Sequence, residues 1–239
     1  MNTKRTLTER LQEGIVIGAE GYLFEMERRG YLKAGAYVPE VVLDHPEALR
    51  QLHREFLRAG SDIMLAFTYY GHREKMKTIG REEALEILNH RAVQIAREVA
   101  GEGDALVAGN ISNTWVYDPN RHDETAPQTF KIFEEQVRWA LEEGVDFVLA
   151  ETIDSLGEAR EALKAIKQFN LPAVVMLSSI DETTRDGYTF PEACHRLEKA
   201  GADVVGLNCT RGPVTMMPII ERIRDAVKCH VAAVPVTYR

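Results

Sequence analysis

Two carboxylates and a thiol stand directly after short apolar runs of this sequence, where a buried scaffold would present them to a ligand. Glu20 lies in Gly18-Ala19-Glu20-Gly21-Tyr22, Glu151 in Ala150-Glu151-Thr152, and Cys209 ends Gly206-Leu207-Asn208-Cys209. Beside them fall Thr68 and Tyr70 in Phe67-Thr68-Tyr69-Tyr70, Asn110 after Gly109, and Asn208 itself. A pair of carboxylates is chemistry for a general acid and a general base. Each residue also has a plainer explanation. Glu20 is equally suited to cap a helix beginning near Tyr22, and Thr68 and Tyr70 to pack a rim. Cys209, like Cys194 and Cys229, fits the usual role of a lone cysteine as a small buried hydrophobe. Glu151 is the strongest candidate, because a carboxylate buried without a task is costly.

Metal chemistry is harder to build from these residues alone. Zinc wants several Cys or His ligands in a tetrahedral array, and one sulfur does not make that set. The seven histidines contain no HxH or HxxxH pair. His72 and His122 fall in loops on the same side as the candidates; His45, His53, His90 and His195 belong to helices or their starts, and His230 opens a strand.

The elements that must position these groups follow from hydrophobic pattern. Ile15–Gly18, Asp62–Thr68, Asp104–Gly109, Asp146–Glu151, Pro172–Leu177, Asp203–Asn208 and His230–Val236 are short apolar runs without polar alternation, which predicts parallel strands covered on both faces. Between them Pro46–Ala59, Arg81–Ala100, Pro127–Glu142, Ser155–Phe169, Pro191–Ala200 and Pro213–Val227 carry apolar residues at helical spacing, four of them opening on proline. The phrases RAGSDI, EEGVDF and KAGADV share one plan, in which a helix stops at glycine and an aspartate leads into a strand. That is a βα repeat. No GxGxxG follows the first run, so a closed barrel is favoured over a dinucleotide-binding sheet.

The predicted fold class is therefore α/β, a (βα)8 TIM-type barrel with seven strands visible and the last βα unit missing. Residues 1–10 read as a polar N-terminal segment and 11–239 as the barrel domain, apparently incomplete at its C-terminus. Bare first and seventh strands would be apolar edges, which implies association with a partner or a homo-oligomer. In such a barrel the active site forms at the C-terminal ends of the strands, where the candidates lie.

Composition narrows the class. The chain has 239 residues, 45% hydrophobic and 28% charged, with a net charge of −8. The acidic balance argues against a sequence-independent nucleic-acid binder, and no apolar run has the roughly 20 residues of a membrane span. A polar start without a signal core and an odd number of cysteines predict a cytoplasmic, reduced protein.

The stretch EGYLFEMERRGYLKAGAYVPEVVLDHPEALRQLHREFLRAGSDIMLAFTYYGHREK, followed in order by GDALVAGN, VDFVLAET and GADVVGLNC, resembles the homocysteine S-methyltransferase family from about Leu11 onward. The resemblance implies a (βα)8 barrel that transfers a methyl group from an onium donor, of the betaine or S-methylmethionine type, to homocysteine. It implies Zn2+ held by three cysteines, of which Cys209 in the GxNC pattern is the first; the adjacent Cys-Cys pair that supplies the others is not in this sequence. By position Glu151 resembles the glutamate that holds the homocysteine amino group, Tyr70 the tyrosine near the donor, and Gly21 a glycine of a DGG-like loop. Glu20 stands one place along from that loop's aspartate, and Thr68 and Asn208 complete the expected substrate contacts. Three readings stay open. The first is a zinc-dependent methyltransferase making methionine; the second is a family-derived binding or assembly protein without a complete zinc site. A lyase using Glu20 and Glu151 as acid and base is a distant third.

Overall fold

The structure, a computed structural model, describes residues 4–32 and 39–237. Helix α1 (Leu7–Glu13) begins inside the segment expected as a polar terminus. Thr6 and Glu9 form a reciprocal capping box at its start, and the buried Arg10 guanidinium pairs with Asp104 at 3.0 Å. Then come α2 (Tyr22–Arg28), α3 (Val41–Asp44), α4 (Pro46–Arg58), β1 (Ile63–Leu65), α5 (Arg73–Lys77), α6 (Leu85–Ala100), β2 (Leu106–Ser112), α7 (His122–Glu142) and β3 (Phe147–Ile153). The chain continues through α8 (Leu156–Lys167), β4 (Ala173–Leu177), α9 (Phe190–Lys199), β5 (Val204–Asn208), α10 (Pro213–Ala226) and β6 (His230–Val234).

The chain forms two compact units, residues 1–111 with 136–147, and residues 112–135 with 148–239. In the first, β1 runs parallel to β2, with Ile63 opposite Leu106. In the second, β3, β4, β5 and β6 lie side by side in chain order, each parallel to the next. Parallel neighbours require crossovers, and the intervening helices supply them. The buried stripes are those the spacing predicts: Leu49 and Leu52 on α4, Leu88, Ala92, Ile95 and Val99 on α6, Ala159, Ala162, Leu163 and Ile166 on α8. The expected apolar face of α4 is narrower, however, since Phe56 is half-buried and Ala59 exposed.

Two expectations need correction. Among the described residues there are six strands rather than seven, because Ile15–Gly18 makes only a single parallel bridge, Gly18 to Ile63. Ile15 is 91% and Ile17 56% exposed, so this run lacks the cover on both faces that its composition suggested. Likewise α7 starts at His122 rather than at Pro127, which sits inside the helix. Ahead of it the Thr125 hydroxyl accepts from Asp118 N at 3.1 Å and donates to Asp118 O at 3.2 Å, fixing the earlier start.

The repeated glycine–aspartate phrase has a structural meaning. Gly60, Gly144 and Gly201 all take the left-handed conformation that ends the preceding helix. Each following aspartate then exchanges two bonds with the neighbouring strand. Asp203 N donates to Ala173 O at 3.0 Å while its Oδ2 accepts from Ala173 N at 2.7 Å. Asp146 does the same with Val107, at 2.8 and 2.7 Å, and Asp62 with Ile17, at 2.7 and 2.8 Å. The backbone of the degenerate first run thus keeps a strand's partner while its side chains stay open.

Asp203→Ala would leave the buried Ala173 N–H without its acceptor and break the 2.6 Å pair with Lys167. Urea unfolding should show a loss of about 2 kcal/mol, with Asp203→Asn, which keeps an acceptor oxygen, losing clearly less.

Candidate active site

The candidates of the first unit sit where the backbone turns away from the bridge at Gly18 and from β1. Gly21, rather than Glu20, is the N-cap of α2, in the left-handed conformation at φ +79°. Tyr22 is buried, its hydroxyl 3.0 Å from Nδ1 of the equally buried His53. Burial pushes that imidazole down to about 3, so it is neutral.

Thr68 is buried, and its hydroxyl donates to Asn110 O at 2.6 Å, tying the chain beyond β1 to β2. Two residues on, Tyr70 takes φ +56°, a conformation disfavoured for a bulky side chain. Its ring packs 4.2 Å from that of Tyr69, and His72 meets it edge-on. The Lys75 ammonium lies 4.6 Å from its centroid, a cation–π geometry. Burial holds the Lys75 pKa below the ordinary lysine range.

The second unit contributes the acidic and thiol-bearing strand ends. Between Ala150 and Ile153 the pairing of β3 with β4 slips, so that Glu151 and Thr152 stand opposite Met176 alone. That is a β-bulge, a device that re-aims a side chain. Thr152 takes φ +57°, and Glu151 is only 7% exposed. Asn208, at the end of β5, closes on both. Its Nδ2 donates to Glu151 Oε2 at 3.0 Å and to Thr152 Oγ1 at 2.7 Å, while its Oδ1 accepts from Thr152 N at 2.7 Å. Cys209 and Thr210 follow at φ +59° and +52°, and Cys209 N donates to Val234 O of β6.

The structure therefore joins Glu151 to Asn208, with Cys209 the next residue along. Cys194 is fully buried, as expected, and its thiol pKa is pushed far up by burial. Cys229 is half-buried rather than buried, and burial followed by Glu198 raises it to about 11. Among the described residues no group of three or more His, Cys, Asp or Glu side chains could hold a metal ion. Cys209 supplies one thiol, short of a tetrahedral zinc set. The residues described do not by themselves fit the group that the sequence resemblance implies.

A network beside the bulge went unread in the sequence. Glu158, on the first turn of α8 and 2% exposed, accepts from Thr114 N and Thr114 Oγ1, both at 2.7 Å. Asp186 caps the same helix through Leu156 N and Gly157 N, each at 2.9 Å. Arg185 reaches Tyr117 O and Asp154, and the Tyr117 hydroxyl lies 3.0 Å from His122 Nδ1. The loops after β2, β3 and β4 are thereby tied to one helix start. The only sequence signal was an acidic first turn, which reads as ordinary helix chemistry.

Parallel βα repeats with polar groups at the C-terminal strand ends define an α/β protein of the TIM-barrel type. A solved structure of the homocysteine methyltransferase MmuM from Escherichia coli, metallated form, has that fold. It superimposes with a TM-score of 0.81 over 94% of this chain and 84% of its own, at 20% identity. Residues 17–238 match the homocysteine S-methyltransferase family, and the chain belongs to it. It is 39% identical over its whole length to betaine–homocysteine S-methyltransferase 1 of Danio rerio, covering 61% of that protein. It is also 39% identical, over 98% of its length, to an S-methylmethionine–homocysteine S-methyltransferase of Pongo abelii, covering 64%. The chain spans about 60% of the length of the curated relatives it matches.

Burial, opposed by the two Thr114 hydrogen bonds and by Arg185 and aided by the nearby Asp154, raises the Glu158 carboxyl to about 7. Folding thus favours its protonated form; that contribution is complete below about pH 4.5 and is lost as pH rises through 7. Urea unfolding of wild type and Glu158→Gln at pH 4.5 and 8 should show the wild type losing on the order of 3 kcal/mol more over that interval.

Proposed function

We propose that this chain is the homocysteine-binding barrel domain, residues 11–239, of a protein that transfers a methyl group from an onium donor to homocysteine, giving methionine. The observation that carries this reading is the joined strand end: Glu151 held by Asn208, one residue from Cys209, within a family match spanning 17–238. Glu151 and Tyr70 are the residues assigned to catalysis. The Glu151 carboxylate takes the ammonium of the amino acid, and the Tyr70 ring faces the onium centre of the donor, betaine or S-methylmethionine by type. Glu20, Gly21 and Thr68 are assigned as substrate contacts.

In the reaction the homocysteine sulfur forms a bond to the methyl carbon as that carbon's bond to nitrogen or sulfur breaks. The electron pair leaves with the donor, which departs without its positive charge on that centre, and the thiol proton goes to solvent. The chain's part is to bind and orient the reacting groups. Of the cysteines that the resemblance assigns to Zn2+, this chain supplies Cys209. A homo-oligomer and a cytoplasmic location accompany this reading. Among the described residues no helix is long and apolar enough to cross a membrane.

The second reading is binding of homocysteine without transfer. Calorimetric titration of the chain with L-homocysteine should give saturable binding that Glu151→Gln weakens about tenfold or more. Incubation with glycine betaine or S-methylmethionine should yield methionine. Binding without methionine from either donor selects the second reading, and no binding overturns both.

A further inference from the structure

We infer that Asn208 is a positioning residue, which sets the β3 bulge and aims the Glu151 carboxylate, rather than a direct contact to substrate. The inference rests on the reading that Glu151 takes the ammonium of the amino acid. Its ground is the way the Asn208 amide is used. A backbone N–H can only donate, so the contact with Thr152 N identifies Oδ1 and leaves Nδ2 toward Glu151 and Thr152 Oγ1. Both amide hydrogens then have acceptors, and the oxygen has a backbone donor. Asn208 is 3% exposed, so this polar group is satisfied by protein rather than water.

What the amide holds is a conformation that β3 would not otherwise keep. A β-branched residue at φ +57° costs on the order of 1–3 kcal/mol unless its surroundings fix it. Asn208 binds both the backbone and the hydroxyl of that residue, reaching it from β5, with β4 paired between the two strands. The extra residue of the bulge puts Glu151 out of the strand's regular alternation. An N–H donated to one of its oxygens holds the carboxylate in the orientation from which it can meet an ammonium group.

A residue acting only through Glu151 has a signature that general damage lacks. The test measures binding of L-homocysteine and of 4-mercaptobutanoate, the same molecule without its amino group, to wild type, Asn208→Ala, Asn208→Asp and Glu151→Gln. Asn208→Asp keeps an acceptor for Thr152 N and so preserves the bulge if the alanine variant fails to fold; thermal melts report which variants are native. Asn208→Asp should weaken homocysteine about tenfold or more while leaving 4-mercaptobutanoate within about twofold. On the Glu151→Gln background the same change should cost homocysteine nothing further. Equal losses for the two ligands, or losses that add in the double variant, would overturn the inference. A wild type that binds both ligands equally refutes the ammonium contact of Glu151 itself, a different failure, and the inference falls with it.

Discussion

The register of this protein hangs on one exchange repeated at the starts of its strands. An aspartate gives its N–H to the carbonyl of a neighbouring residue and takes that residue's N–H on its carboxylate. It recurs at Asp62 with Ile17, Asp146 with Val107 and Asp203 with Ala173. Two bonds to one residue leave no freedom to slide, and in a parallel pair a slip of one residue would turn every side chain to the wrong face. The device works at the N-terminal ends, where features of a barrel serve stability. Because the strands are short, fixing one end also fixes where the other end delivers Glu151 and Asn208.

That division explains what was legible. The glycine–aspartate phrases could be read because their causes are local: a left-handed helix stop at Gly144 or Gly201, then a short polar side chain placed to accept. Six of the expected runs became strands for the same reason, since continuous apolar sequence between turn signals has few other uses. The run Ile15–Gly18 failed because its composition reports only its own hydrophobicity. A strand also needs neighbours, and the exposure of Ile15 and Ile17 shows where they are missing. Pro127 misled because proline marks a helix start well but not uniquely, and side-chain bonds from Thr125 moved the start upstream.

At the other ends of the strands the backbone is strained instead of regular. Among the described residues the non-glycine positions with left-handed φ are Tyr70, Trp115, Thr152, Asn170, Cys209 and Thr210, and all but Asn170 lie at or just past a strand's C-terminal end. Such conformations persist where surrounding bonds over-determine them, and they gather where side chains must be aimed. Glu151, Asn208 and Cys209 could be named from the sequence as residues at strand ends. The Thr152 turn and the closure of Asn208 upon it could not, because a β-branched residue gives no hint of left-handed backbone and its partner lies far along the chain. The Glu158 network was hidden in the same way: its bonds to Thr114 are tertiary, and only burial distinguishes that carboxylate from a solvated helix start.

Tyr70 shows how the same strain bears on the choice of donor. Its ring is nearly buried and already faces the Lys75 ammonium at 4.6 Å. The Lys75 ammonium is half-buried, and that burial lowers its pKa. Under the proposed reading, an onium donor meets a ring that holds a cation of the protein's own. A quaternary or tertiary onium is permanently charged and weakly hydrated, whereas a lysine ammonium is strongly hydrated. Under that reading the ring suits a donor whose charge is spread over methyl groups. Recognition of the charge and of the methyl would, under the proposed reading, fall to one aromatic face, carried by a tyrosine with left-handed backbone.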